Sequence, residues 1–285
     1  MATLKETKAR IASVRSTLKI TSAMKLVASA KLRKAQQAAE NCAAYERELE
    51  AILGAISVSG HSALHSVPEG SVKVAIVALS SNTSLCGGFN ANAIRKTREA
   101  IAEYGAQNVV VYAVGHKIAE ALAKDGLPSV RNLDELCGRP TYAGAAGLAD
   151  ELIDGYNSGK YSKVVLVWNH FVSTGTQKPT VETYLPFRHE SAQSFASVED
   201  LLAEYLIEPD LEALYDELLP KTMRLRIYSL LLDNAAAEHA ARTVAMQTAT
   251  DNGNEILEEL TLEYNKARQA KITAEILDLA GGQQE

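Results

Sequence analysis

The sequence predicts an α/β fold whose two ends are long helices that pair with each other as an antiparallel coiled coil around a domain with a mainly parallel sheet. Three observations predict it. Helix breakers are segregated: every proline lies between Pro68 and Pro220, and the earliest glycine is Gly54. Proline costs a helix interior about 3 kcal/mol and glycine about 1 kcal/mol relative to alanine, so the middle must differ in kind from the ends. The ends carry opposite charge: residues 1–40 hold nine Lys/Arg against two acidic residues, whereas residues 210–285 hold seven against fourteen. Apolar runs alternating with amphipathic stretches fill the interval between them.

From Thr3 to about Ile56, small or apolar residues recur at spacings of three and four, from Leu4, Ile11 and Val14 through Ala28 and Leu32 to Leu53 and Ile56. That is a coiled-coil seam with lysine and arginine outside it. At 1.5 Å per residue the helix would be about 80 Å long, and it needs a partner to bury its seam. The partner is expected from about Lys221 to Leu279, with Ile227, Leu230, Leu231, Ala237, Ala241, Val244, Thr248, Leu257, Leu260, Tyr264, Ala267, Ala274 and Leu277 inside. Alanines at 235–237 and 240–241 admit a close neighbour, and Gly253 is expected to loosen the helix locally.

Between the helices, residues 72–79 read as a buried strand, Ala91–Tyr104 as a helix and Asn108–Val114 as a second strand. A helix at His116–Lys124 follows, then a loop with Pro128 and Pro140, a helix near Gly144–Tyr156 and the strand Lys163–Phe171. This order predicts parallel strands joined by right-handed crossovers. Val181–Leu185 could add an edge strand, and Val198–Leu206 a short helix. The expected divisions are an N-terminal helix over 1–58, a globular domain over 70–207 and a C-terminal helix over 210–285.

With 285 residues and 47% apolar content the chain can bury a substantial core. Cys42, Cys86 and Cys137 are widely spaced without a CxxC, which reads as a reducing compartment with neither disulfide framework nor structural metal. No apolar run approaches the roughly 20 residues that cross a bilayer.

The candidate chemistry is thin. Ser80 to Asn90 (SSNTSLCGGFN) opens a helix after the first strand, where α/β folds often hold phosphate. Neither GxGxxG nor GxxxxGK[ST] is present, so the glycines are expected to shape a tight turn and Asn90 to cap the helix. Cys86 at a helix start could be a nucleophile, but no residue is placed to activate it, and a buried small side chain is the expectation. The histidines show no metal-ligand spacing beyond the weak His61/His65 pair, and acidic pairs such as Glu258/Glu259 belong to solvated faces. The basic N-terminal face could neutralise nucleic-acid phosphates, yet it lacks aromatic interleaving, and an acidic protein partner fits at least as well.

Arg10-Ile11-Ala12-Ser13-Val14, residues 19–28 (KITSAMKLVA) and Lys31-Leu32-Arg33-Lys34-Ala35 resemble the N-terminal helix of gamma subunits of F-type ATP synthases. Leu85-Cys86-Gly87-Gly88-Phe89-Asn90 resembles that family's central turn; residues 242–246 (RTVAM), 249–252 (ATDN), 264–270 (YNKARQA) and 272–275 (ITAE) resemble its C-terminal helix. Departures are Asn82-Thr83-Ser84 for the family's Asp-Arg-Gly, Gln283 for the alanine after the final glycine, and Ile207 where an aromatic is common.

The resemblance implies a Rossmann-like domain at the membrane-proximal foot and a coiled coil inside a ring of alternating alpha and beta subunits. It implies a non-catalytic central-stalk rotor, without a cofactor, that couples proton or ion flow to ATP synthesis or hydrolysis by rotation. By the same resemblance Met24 and Lys25 face the acidic lever region of beta, and Arg242 and Gln269 meet a loop of a catalytic subunit, with Thr273 and Glu275 nearby. Tyr205 and Glu208 lie at the foot, near the epsilon subunit and the c-ring. Because the resemblance begins by Leu4, it favours a bacterial chain, peripheral on the cytoplasmic face of the cell membrane, over an imported one. The alternatives are a nucleotide-binding α/β enzyme with helical appendages, or a coiled-coil scaffold or nucleic-acid clamp.

Overall fold

Thr3-Leu4-Lys5-Glu6 is a capping box: Glu6 N donates to Thr3 Oγ1 at 3.3 Å and Thr3 N to Glu6 Oε2 at 2.8 Å. It starts α1, Leu4–Ile56. In the computed structural model, which describes residues 3–56, 64, 73–187, 207, 208 and 210–281, the further elements are β1 (Val74–Leu79), α2 (Phe89–Tyr104), β2 (Val109–Val114), α3 (His116–Lys124) and β3 (Arg131–Asn132). After them come α4 (Asp134–Gly138), α5 (Tyr142–Asn157), β4 (Lys163–Ser173), β5 (Thr176–Leu185) and α6 (Leu211–Gly281). The short helix expected over 198–206 lies outside the described residues.

The chain forms two compact units, Ala30–Ala241 and Met1–Ser29 with Arg242–Glu285. In the first, the sheet order is β3-β2-β1-β4-β5, parallel except for the antiparallel β4–β5 pair. The run VAIVAL of β1 is buried at every position because both faces of the sheet are covered. Val74, Ile76 and Ala78 face α2 and α3, with Ile101, Ile118 and Leu122. Ala75, Val77 and Leu79 face a larger core that includes Leu148 and Leu152 of α5, Leu53 and Ile56 of α1, and Tyr215, Leu219 and Met223 of α6. The inner parts of both end helices therefore belong to the core of the sheet unit.

Three differences from the expected elements have physical causes. The edge strand is ten residues rather than five, since β5 pairs with β4 along its length, and Pro179 sits there without breaking a ladder because the strand is at the edge. The two-residue β3 and five-residue α4 occupy what reads as a proline-containing loop and are too short to leave a periodicity. Helix α6 begins at Leu211, close to the expected division at 210, and runs through Pro220 rather than starting at about Lys221. Asp210 caps it, with Oδ1 accepting from Ala213 N at 2.8 Å, and Tyr215 and Leu219 are buried, which offsets the proline's cost.

In the second unit α1 and α6 run antiparallel, with Thr21 against Thr250 and Lys25 against Gln247. Gly253 does not loosen this helix. It gives room for Leu18, whose Cδ2 would stand 2.7 Å from a β-carbon there. The seam departs from the expected one at Val244 and Thr248, which are exposed where Met246 is buried, whereas Leu257, Leu260 and Tyr264 lie half-buried as expected. The register that pairs residue 18 with 253 and 21 with 250 sets Leu4 near Ala267, so α6 runs past the start of α1. All residues from 266 to 277 are accordingly exposed.

Candidate functional site

The turn after β1 is built to close on itself. Gly88 takes the cap position of α2 without a side-chain cap, so Asn90 is not the cap that its sequence position suggested. Asn90 lies one residue inside the helix, and its Oδ1 accepts from Ser81 N at 3.0 Å and Ser81 Oγ at 2.9 Å, tying the strand end to the helix start. Cys86 is 1% exposed and packs with Phe89 against Ala237 and Ala241, as a small core residue does.

The crevice where a doubly wound sheet would take a phosphate is occupied by the chain's own oxygens. At the start of α3, His116 N donates to Asn82 Oδ1 at 2.9 Å, Lys117 N to Ser81 O at 3.1 Å and Ile118 N to Ser80 Oγ at 2.9 Å. These are the amides that an anion would use. Gly115, at φ 106°, lets β2 approach so closely that a β-carbon would meet Ser80 O at 2.8 Å. The buried Cys137 thiol lies 3.1 Å from Ser80 O and is pushed up to about 12, first by burial and then by Glu238. Among the described residues no group of three or more His, Cys, Asp or Glu is placed to hold a metal, and no helix is long and apolar enough to cross a membrane.

The helical unit presents the opposite character. Nine of its large apolar side chains stand at 41–68% exposure: Ile20, Leu26 and Val27 on α1, and Val244, Ile256, Leu262, Ile272, Ile276 and Leu277 on α6. Five of the six basic residues of α1 in this unit are exposed, Lys25 being the half-buried exception. Where such side chains cluster, as Leu26 with Val27 and Ile272 with Ile276 and Leu277 do along their helices, they suit cover by another macromolecule.

Six of the residues singled out from the sequence lie in this unit, in two groups. Gln269, Thr273 and Glu275 lie on the overhang of α6, all exposed; Thr273 Oγ1 donates to Gln269 O at 2.9 Å, and Glu275 faces Lys271 at 3.6 Å. Met24, Lys25 and Arg242 are half-buried on the paired stretch, where the register sets Arg242 near Ser29. Glu208 is exposed three residues before α6, and Tyr205 lies outside the described residues.

Lys25 is not a bare surface charge. Its Nζ donates to Gln247 Oε1 at 2.7 Å, and Gln247 Nε2 donates to Asp251 Oδ1 at 2.7 Å. Sequence reasoning missed Gln247 and Asp251, although a Gln–Asp pair four residues apart on a helix is a legible signal.

Comparison with known proteins covers the whole chain. The sequence profile of a family described as ATP synthase matches residues 3–284. The chain is 47% identical over 288 residues to the ATP synthase gamma chain of Phocaeicola vulgatus, covering 99% of each, and 45% identical to that of Bacteroides fragilis strain YCH46 at the same coverage. Its fold is similar to a chain of the Euglena gracilis mitochondrial ATP synthase in rotational state 3, with a TM-score of 0.67 at 18% identity over 98% of this chain and 93% of that one. It is also similar to a chain of the rotor of that synthase in rotational state 1, with a TM-score of 0.65 at 19% identity, covering 94% and 98%.

Proposed function

The chain belongs to the ATP synthase gamma-chain family, and from that premise we propose that it is the central-stalk rotor of an F-type ATP synthase, turned by ion flow and performing no chemistry itself. Its paired helices stand inside a ring of alpha and beta subunits. Its sheet unit meets the epsilon subunit and the c-ring, peripheral to the membrane on the cytoplasmic face of a bacterium. The observation that carries the reading is the helical unit's run of exposed apolar side chains beside a basic face, which suits enclosure by a larger, partly acidic assembly.

The physics of turning supports the same assignment. Exposed ion pairs contribute about 0.2–1 kcal/mol each, so a lining of them is broken and remade without a deep trap. Lys25 adds a refinement: its ammonium has a neutral amide as a resting partner and can pass to a carboxylate of beta without being stranded. The overhang carrying Gln269, Thr273 and Glu275 meets its bearing as a single helix.

The nucleotide-binding alternative is disfavoured by the occupied amides of α3. Purification of the tagged chain from membranes tests the proposal: alpha and beta subunits should accompany it, and their absence would sink it. Within the assembled complex, Lys25→Gln should change turnover modestly, whereas Arg242→Ala should lower ATP synthesis or complex yield more strongly. Wild-type synthesis and yield with Arg242→Ala would remove that residue from the contact.

A further inference from the structure

Helix α6 is joined to the sheet unit by two kinds of contact along three of its turns, from Met223 to Asn234. Ile227, Leu230 and Leu231 bury apolar surface in the larger core. Such burial is non-directional: it fixes which face of the helix points inward, but it holds small rotations within that face less sharply than directional bonds do. Hydrogen bonds are directional and weaken steeply when bent, so they resist rolling.

This stretch is dense in such bonds. Tyr184 Oη donates to Met223 O at 2.9 Å, and Arg224 Nε donates to Asp150 of α5 at 2.7 Å. The Arg226 guanidinium forks onto Glu182 of β5, with Nε to Oε1 at 3.1 Å, and its Nη1 reaches Glu46 of α1 at 3.1 Å. Burial opposes the charge on Arg226; Glu182 and then Glu46 outweigh it and hold the guanidinium above its ordinary value. Two turns on, Asp233 accepts from Trp168 Nε1 at 2.8 Å and Phe171 N at 3.1 Å, and bonds His170 Nδ1 at 2.8 Å. Asn234 Oδ1 accepts from Asn169 N at 3.3 Å. A cavity of about 420 Å³ is lined by both Arg226 and Asp233, so the apolar packing is interrupted where the polar bonds are strongest.

We propose that residues 223–234 are the torque-bearing joint of this protein, with Asp233 and Arg226 as the positioning residues that keep α6 from rolling on the sheet under load. This rests on the rotor reading. Turning an enclosed helix drives the sheet unit only if the two move as one body, and here the carboxylate, the guanidinium fork and their partners supply the resistance. An amide cannot replace the carboxylate. In either orientation, the side chain introduced by Asp233→Asn would set its NH2 group against Trp168 Nε1–H or Phe171 N–H, both obligate donors. Lysine cannot replace the arginine, because it keeps the charge and loses the fork.

The test uses the assembled synthase in inverted membrane vesicles carrying Asp233→Asn, Arg226→Lys or both. ATP hydrolysis is compared with ATP-driven charge translocation, read by a potential-sensitive dye while the opposing potential is raised. Hydrolysis by the detached ring should match wild type, because there the rotor drives nothing. Translocation per ATP should match wild type at zero opposing potential and fall severalfold at high potential, most in the double variant. Trp168→Phe removes one donor while keeping an aromatic ring and both charged residues, and should give a smaller loss of the same sign, even if a charged-site variant assembles poorly. An unchanged translocation-to-hydrolysis ratio under load in the variants that assemble, Trp168→Phe included, would overturn the joint. A wild-type chain that does not assemble with alpha and beta would overturn the rotor reading instead.

Discussion

Replacing Gly115 by alanine should cost about 3–5 kcal/mol, because two separable penalties meet at one residue. The first is conformational. At φ 106° and ψ 138° the backbone occupies a region that glycine alone adopts readily, and a β-carbon there costs about 1–3 kcal/mol. The second is steric. The added carbon would stand 2.8 Å from Ser80 O and 3.0 Å from Ser80 C, both backbone atoms that no rotamer change can move. Ser80 must then shift, and it is held by its N–H to Val114 O at 2.8 Å and by the Ile118 N–H on its hydroxyl at 2.9 Å. Weakening both adds about 1 kcal/mol for each. Gly126→Ala is the control, since Gly126 also has positive φ, at 78°, but a β-carbon there meets nothing within 4 Å. It should cost about 1–2 kcal/mol. Urea titration of the full chain, followed by circular dichroism, gives both values from the midpoint shift at constant slope. Equal costs for the two variants, or a Gly115→Ala penalty below about 1 kcal/mol, would refute the close-approach reasoning.

Thr21→Val and Thr250→Val should each destabilise the helix pair by about 1 kcal/mol, whereas the double variant should be near neutral; urea midpoints of the four chains measure the coupling. The buried Cys137 thiol, pushed up to about 12, stays protonated at pH 8, so iodoacetamide should leave it unmodified in the folded chain and alkylate it in urea, read by mass spectrometry. Its ionisation is easier unfolded, near 9.0, than folded, so its contribution to stability is present below pH 9 and is lost as pH rises toward 12; Cys137→Ala should flatten that part of the stability–pH curve.

The paired end helices and the parallel strands were legible because their signals are periodic. Seams at spacings of three and four, and runs such as VAIVAL, extend over enough residues to be read without neighbours. Pro220 misled because breaker logic is local, whereas the burial of Tyr215 and Leu219 that overrides it is tertiary. The same holds for Gly253, whose purpose depends on Leu18, 235 residues away in sequence. Asn90 reads as a cap by position, but its oxygen serves Ser81 because the turn folds back to the end of β1. Six of the sites named from family likeness could be placed on their helices, yet the partners of Lys25, namely Gln247 and Asp251, needed the register between α1 and α6, which neither helix specifies alone.

The overhang of α6 divides the selective pressures on this chain. Residues 268–277 are all exposed and, by the α1–α6 register, lie beyond the start of α1 among the described residues, so a change at Gln269, Thr273 or Glu275 alters neither a seam nor a core. An isolated helix of that length is marginal in water, and its order is an extension of the paired stretch behind it. On the proposed rotor reading, variation in this segment is therefore silent in any assay of folding and audible only in the assembly, whereas at Leu18 or Gly253 the two effects arrive together. A library confined to the overhang and selected for growth on a respired carbon source would report on the proposed bearing contact, free of effects on folding.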